Sequence, residues 1–215
     1  MDSIKELSLR IKEGGKMHYL PFNCPDIFYR NKVPHHPYRF AIARGPFNIA
    51  TFLMGATEFM MSLVMNPDEM HALLRTITDY TVDWLRYQKT CFPSMEGIMI
   101  LDDLIGFVGE PEFTTFATPY LKEIYQAFDS PVRFLHNDAN CMESVQFLPE
   151  MGVNLFNMGF DTDLNLLKHL TRHQVTMLGN IPPRDVLAAG SAEQVREATL
   201  YLLRSLEDHT RVIFS

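Results

Sequence analysis

The chain has 215 residues, a formal net charge of −7, and 47% hydrophobic against 21% charged residues. That length supports one sizeable core, although a full β/α barrel more often takes about 250 residues. The acidic balance excludes the basic stripe of a nucleic-acid-binding protein. No run of about 18 apolar residues would span a membrane, and the charged opening MDSIKELSLRIKEGGK lacks an apolar signal core, so a cytoplasmic setting is expected.

Residues 1–38 read as an irregular N-terminal segment, because PFNCPDIFYRNKVPHHPYR carries four prolines. From Arg39 onward, short apolar runs alternate with helical patterns. The runs cover 40–43, 98–101, 132–135, 153–156, 175–178 and 212–214, the look of strands buried on both faces of a parallel sheet. Asn66-Pro67-Asp68-Glu69 has the form of a capping box with proline at the first helical position. Met70, Leu73, Ile77, Tyr80 and Trp84 follow it on one helical face. Residues 113–116 and 120–128 predict two helical pieces broken at Pro119. Asn140-Cys141-Met142-Glu143 has the form of another capping box. Residues Leu164–Leu170 predict a short helix, and Ser191-Ala192-Glu193-Gln194 a capped one continued by Val195, Ala198, Leu202 and Leu206. Cys24, Cys91 and Cys141 are odd in number and form no CxxC pair, which predicts reduced thiols.

Strands alternating with single-helix crossovers define an α/β fold with a parallel sheet. Six strands are read where a (β/α)8 TIM-type barrel has eight. The expectation is therefore a partial barrel over 39–215, with two strands wanting before Arg39 and a last helix after Ser215. An open, doubly wound sheet is the rival, but Gly45-Pro46-Phe47-Asn48 is no GxGxxG loop. Six strands of a barrel also leave two edges unpaired, which predicts self-association, a homodimer included.

Sites in parallel α/β folds lie at the C-terminal ends of the strands. There the sequence places Arg44, Phe47 and Asn48 after the first run and Asp102-Asp103 after the second. His136, Asn137 and Asp138 follow the third, Asn157 the fourth, and Gly179 and Asn180 the fifth. In FLHNDAN, residues 134–140, His136 and Asp138 are two apart and face one side of an extended chain. An imidazole and a carboxylate suit zinc. They equally suit hydrogen bonding that braces the loop, or acid/base chemistry. Adjacent Asp102 and Asp103 point opposite ways in extended chain, and Asp103 is the one read at the site, beside His136 as a catalytic candidate. Arg44, Phe47, Asn48, Asn157, Gly179 and Asn180 are read as contacts to a small-molecule substrate.

The ordered set GPFNIATFLMG, DDLIGFVGEPEFTTFATPYLKEI, FLHNDAN, MGVNLFN and LGNIPPRDVLAAGSAEQV resembles the uroporphyrinogen decarboxylase superfamily over roughly 39–215. The superfamily holds the heme-pathway decarboxylase of porphyrin biosynthesis and zinc-dependent methyltransferases that work with corrinoid proteins. The resemblance implies a (β/α)8 barrel with its site at the mouth. The decarboxylase's tyrosine falls at Phe52 and its serine at Asp103, so both residue types are changed; its N-terminal arginines and aspartate have no counterpart here. The methyltransferases' His-x-Cys zinc pair falls at His136 and Asp138, and their further cysteine belongs beyond Ser215. Aspartate in place of cysteine hardens that site, away from thiol activation and toward a hydroxyl, ether or carboxylate substrate. The resemblance thus implies a methyltransferase with zinc at His136 and Asp138 and a corrinoid-protein partner. Decarboxylation of a porphyrinogen or other polycarboxylate, and a non-catalytic fragment, are the alternatives.

Overall fold

The computed structural model describes residues 39–214; the irregular segment expected over 1–38, with Cys24, lies outside the described residues. Six strands form one sheet in the order of the chain: β1 Phe40–Arg44, β2 Gly97–Leu101, β3 Val132–Asn137, β4 Leu155–Met158, β5 Thr176–Leu178 and β6 Val212–Ile213. Every neighbouring pair is parallel. A doubly wound sheet reverses its strand order at a switch point. This one never reverses, which is the winding of a β/α barrel wall. Among the described residues, β1 and β6 are its two edges.

The strands alternate as barrel staves do. Ala41, Ala43, Ile98, Ile100, Leu135, Phe156 and Met177 point outward and are buried under the helices. Their neighbours in sequence point to the concave face. At the bottom of that face Phe40 meets Phe134 edge to face, with centroids 6.3 Å apart. Gly97 leaves the room for this, since a Cβ there would come 2.5 Å from the Phe40 ring.

Between β1 and β2 run α1 Pro46–Met54, α2 Ala56–Met65 and α3 Pro67–Cys91. In α3 the residues Met70, Leu73, Leu74, Ile77, Trp84 and Leu85 are buried at helical spacing. Asn66 takes the N-cap position of α3, but its side chain makes no cap hydrogen bond, which corrects the expected capping box. Gln88, near the other end of α3, accepts from the Ile42 N–H and donates to the Ile42 carbonyl. These groups face away from β2, so the glutamine amide satisfies the outer edge of β1.

The expected break at Pro119 is absent. A π-helical turn, Phe113–Ala117, runs directly into α4 Thr118–Gln126, and the wider turn just ahead of Pro119 carries the helix past the proline. The box expected at Asn140 starts no helix. Its Oδ1 accepts from the Met142 N–H and makes a turn, and the next regular helix is α5 Leu148–Met151. After β4, α6 Leu164–Leu170 is capped by Asp163. Finally, α7 Ala192–Ser205 opens on Ser191 and Gln194 in a complete capping box.

Candidate active site

The strand ladders align Arg44, Leu101, His136, Asn157, Leu178 and Ile213 as register neighbours across the sheet. Side chains at one register level point the same way, so these six form a single ring on the concave face at the C-terminal ends. His136 stands in its middle. Its Nδ1 is 2.6 Å from Asn157 Oδ1, and Asn157 Nδ2 donates to the Leu178 carbonyl at 2.6 Å. Its Nε2 lies 3.4 Å from Asp138 Oδ2 and 3.9 Å from Asp103 Oδ1. Asp103 Oδ1 also accepts the Asp138 backbone N–H at 3.0 Å, which ties the loop after β2 to the loop after β3.

The two adjacent aspartates divide. Asp103 opens a short 3₁₀ turn, Asp103–Phe107, and its side chain is 31% exposed beside His136. Asp102 turns the other way and is fully buried. It accepts from the backbone N–H groups of Phe47 and Asn48 at 3.1 and 2.8 Å, at the start of α1. Burial pushes its carboxyl up to about 7. The two N–H donors oppose that shift, the Asp103 charge adds to it, and Arg44 works against it. Gly45 is glycine because a Cβ would sit 2.2 Å from Asp102 Oδ2. A carboxylate at the positive end of a helix dipole explains why the chain turns into α1 directly after β1.

The remaining residues read from the sequence separate into wall and support. Phe47 is fully buried against Phe59, with centroids 4.9 Å apart. Asn48 is buried, donating to the Leu101 carbonyl and accepting from the Leu104 N–H. Both support the site from beneath and do not line it. Arg44 shares the His136 ring two strands away. Gly179 and Asn180 line the cavity, where Asn180 holds the loop after β4 by donating to the Thr162 and Phe160 carbonyls. Asn137 points outward, and its Oδ1 accepts the Ala139 N–H to turn the chain after β3. Cys141 is buried, and burial raises its thiol to about 11.

Beside His136 opens a cavity of about 920 Å³. Its apolar wall includes Met142, Met158, Phe160, Leu166 and Ile181. Its charged lining is Asp138, Asp161 and Asp163; no lysine or arginine is among the described residues that line it. Sequence reasoning did not find this wall, because Met142, Phe160 and Ile181 come from three separate loops. Nor did it find Gly106 and Gly159. A Cβ on Gly106 would meet the Asn140 carbonyl at 2.5 Å, and one on Gly159 the Asp138 carbonyl at 2.8 Å. Glycine in a loop next to a strand end was the available signal.

Among the described residues, no group of three or more His, Cys, Asp or Glu side chains is arranged to hold a metal ion. His136 and Asp138 bring two donors, while catalytic zinc takes three protein ligands. Asp103 stands further off, its Oδ1 engaged by a backbone N–H. Zinc held by His136 and Asp138 would need a third ligand from outside the described residues.

The winding of the sheet and the ring of polar groups at its C-terminal ends define a β/α-barrel protein with its site at the mouth. The family model described as uroporphyrinogen decarboxylase (URO-D) matches residues 30–215, and the chain belongs to that family. A uroporphyrinogen decarboxylase from Chloroherpeton thalassium is 27% identical over 159 residues, 71% of this chain and 43% of the relative. One from Magnetococcus marinus is 22% identical over 184 residues, 79% of this chain and 50% of the relative. Among solved structures, a methyltransferase from Methanosarcina mazei superposes with a TM-score of 0.70 at 16% identity, over 87% of this chain and 55% of that one. The chain thus spans half the length, or less, of these curated relatives.

Proposed function

We propose that this chain carries the His136 rim of an enzyme that moves a methyl group between a small-molecule substrate and a corrinoid held by a partner protein. The observation that carries the reading is the lining of the 920 Å³ cavity: three aspartates, a histidine and an apolar wall, without lysine or arginine among the described residues. A porphyrinogen bearing several carboxylates needs cationic partners, and this lining would repel it.

The corrinoid, when bound, supplies the carrier for the methyl group. The chain's own residues handle the proton that must accompany the transfer. When a methyl group leaves oxygen, sulfur or nitrogen, that atom gains a proton; in the reverse direction it loses one. His136 Nε2 faces the cavity and is the group placed to give and take it. Asp103 and Asp138 stand within 4 Å of Nε2 and flank it on the cavity side. Met142, Phe160 and Ile181 offer an apolar surface to the rest of the substrate.

The test is methyl transfer by the full-length gene product, with free cobalamin, chemically reduced to cob(I)alamin, in place of the carrier protein. Methyl ethers, thioethers and methylamines are offered in turn, and the reaction is followed by the cobalamin spectrum. The expected result is turnover that falls about 10²- to 10⁴-fold in His136→Ala. Decarboxylation is the second reading, favoured by the names of the curated relatives. Carbon dioxide released from uroporphyrinogen, with no methyl transfer from any of the panel, would put that reading first.

A further inference from the structure

The structure assigns Asn157 a positioning role: it decides which nitrogen of His136 carries a proton and which one is turned to the cavity. The argument starts at Leu178. Asn157 Nδ2 lies 2.6 Å from the Leu178 carbonyl oxygen, and a carbonyl oxygen can only accept. Turning the amide over would press two acceptor oxygens together at that distance. The amide is therefore held with Nδ2 on Leu178 and Oδ1 on His136. Oδ1 also can only accept, so the His136 Nδ1 that it meets at 2.6 Å bears hydrogen. In the neutral ring the lone pair is then on Nε2, beside Asp138 and Asp103.

The opposite outcome is built into the same site. The two carboxylates near Nε2 accept hydrogen bonds as well, and left to themselves they would draw the ring proton to Nε2. That tautomer has no base facing the cavity. Asn157 wins because its contact is 2.6 Å against 3.4 and 3.9 Å for the carboxylates, and because it is itself anchored. His136, Asn157 and Leu178 are register neighbours on three adjacent strands, so the relay rests on the sheet and not on a loop. The nitrogen a histidine offers is set by the bond its other nitrogen makes. The tautomer stands on geometry alone; only its consequence for turnover rests on the proposed proton transfer.

The test is ¹⁵N NMR of the full-length protein labelled at histidine nitrogens, with His136 assigned by difference against His136→Gln. It is run at alkaline pH, where imidazole is neutral and protonated and bare nitrogens resonate far apart. The parent is expected to show Nδ1–H and a bare Nε2. Asn157→Leu, which removes the acceptor, is expected to move the proton to Nε2 and to lower kcat by about ten- to a hundredfold with KM little changed. Asn157→Gln keeps both an acceptor for Nδ1 and a donor for the Leu178 carbonyl and is expected to keep Nδ1–H, a rescue that packing alone would not give. A parent ring with Nε2–H, or an Asn157→Leu ring that keeps Nδ1–H, overturns the assignment. Should Asn157→Leu fail to fold, the parent and Asn157→Gln spectra decide it. If the tautomers behave as expected and no methyl transfer is found, the reaction is wrong and the positioning role stands.

Discussion

Asp102 is buried with no cation in contact, held by two backbone N–H groups, and its carboxyl is raised to about 7. An unfolded aspartate titrates near 3.9. Between those values the folded state holds a proton that the unfolded state has lost. Folding stability therefore falls as pH rises from about 4 to about 7, by up to about 4 kcal/mol from this group alone, and levels off above. Asp102→Asn, which cannot ionise, is expected to be less stable at pH 4.5, because its amide nitrogen faces a backbone donor, yet to lose much less on going to pH 8. Urea unfolding of both proteins at the two pH values checks this; parallel losses would mean that Asp102 is ionised throughout. Gly45→Ala is the matching steric case. Its Cβ would overlap Asp102 Oδ2, with an expected loss of about 1–3 kcal/mol. Of the paired aspartates, the sequence showed that the two must diverge, since successive side chains alternate. It did not show that Asp102 would anchor α1, because the helix start at Pro46 meets it only in the folded chain.

At the scale of elements, hydrogen bonds between distant segments hold the staves in place. Gln88 is buried and spans from α3 to the outer edge of β1. Gln88→Leu removes both of these hydrogen bonds, and is expected to cost about 1–3 kcal/mol and to increase association. Urea midpoints and sedimentation at several concentrations measure the two effects. Lys168, on α6, is buried and donates to Asp208 and to the Thr210 carbonyl, clamping the loop before β6. This bond holds the Asp208 carboxyl well below the usual carboxylate range. Lys168→Met keeps the packing of the stem but removes the donors. The urea midpoint should fall at neutral pH, and by less as pH drops below about 4, where the unfolded state takes up the Asp208 proton and the clamp's contribution declines. Element types were legible where period or cap marked them, as apolar spacing did in α3 and the Ser191 box did in α7. They were misread where a polar residue served another purpose: Asn140 makes a turn, and the fourth strand begins at Leu155, because Gly152 ends α5 at φ 88° and Val153 folds back onto Leu148.

At the scale of the whole molecule, the sheet formed by the described residues is open. Among them β1 and β6 do not meet, and Gln88 bonds the outward backbone groups of Ile42 on β1. Exposed parallel edges invite pairing with another chain. The 215-residue chain by itself is therefore expected to self-associate, and a sharp monomeric sedimentation boundary with cooperative melting would contradict this. Further exposed apolar surface lies on α1 and α2, where Phe52, Met61, Val64 and Met65 are all more than half exposed.

The sequence by itself determined the strand–helix alternation, the parallel sheet and the candidate residues on its C-terminal rim. Those depend on local chemistry: apolar runs of strand length, helical spacing, and polar groups where each run stops. Tertiary structure decided what each rim residue does. Asn48 and Phe47 went beneath the site, Asp102 into the core, and Asn157 onto a carbonyl and an imidazole. Such roles depend on strand register and on which loop meets which, contacts made between residues far apart in the chain.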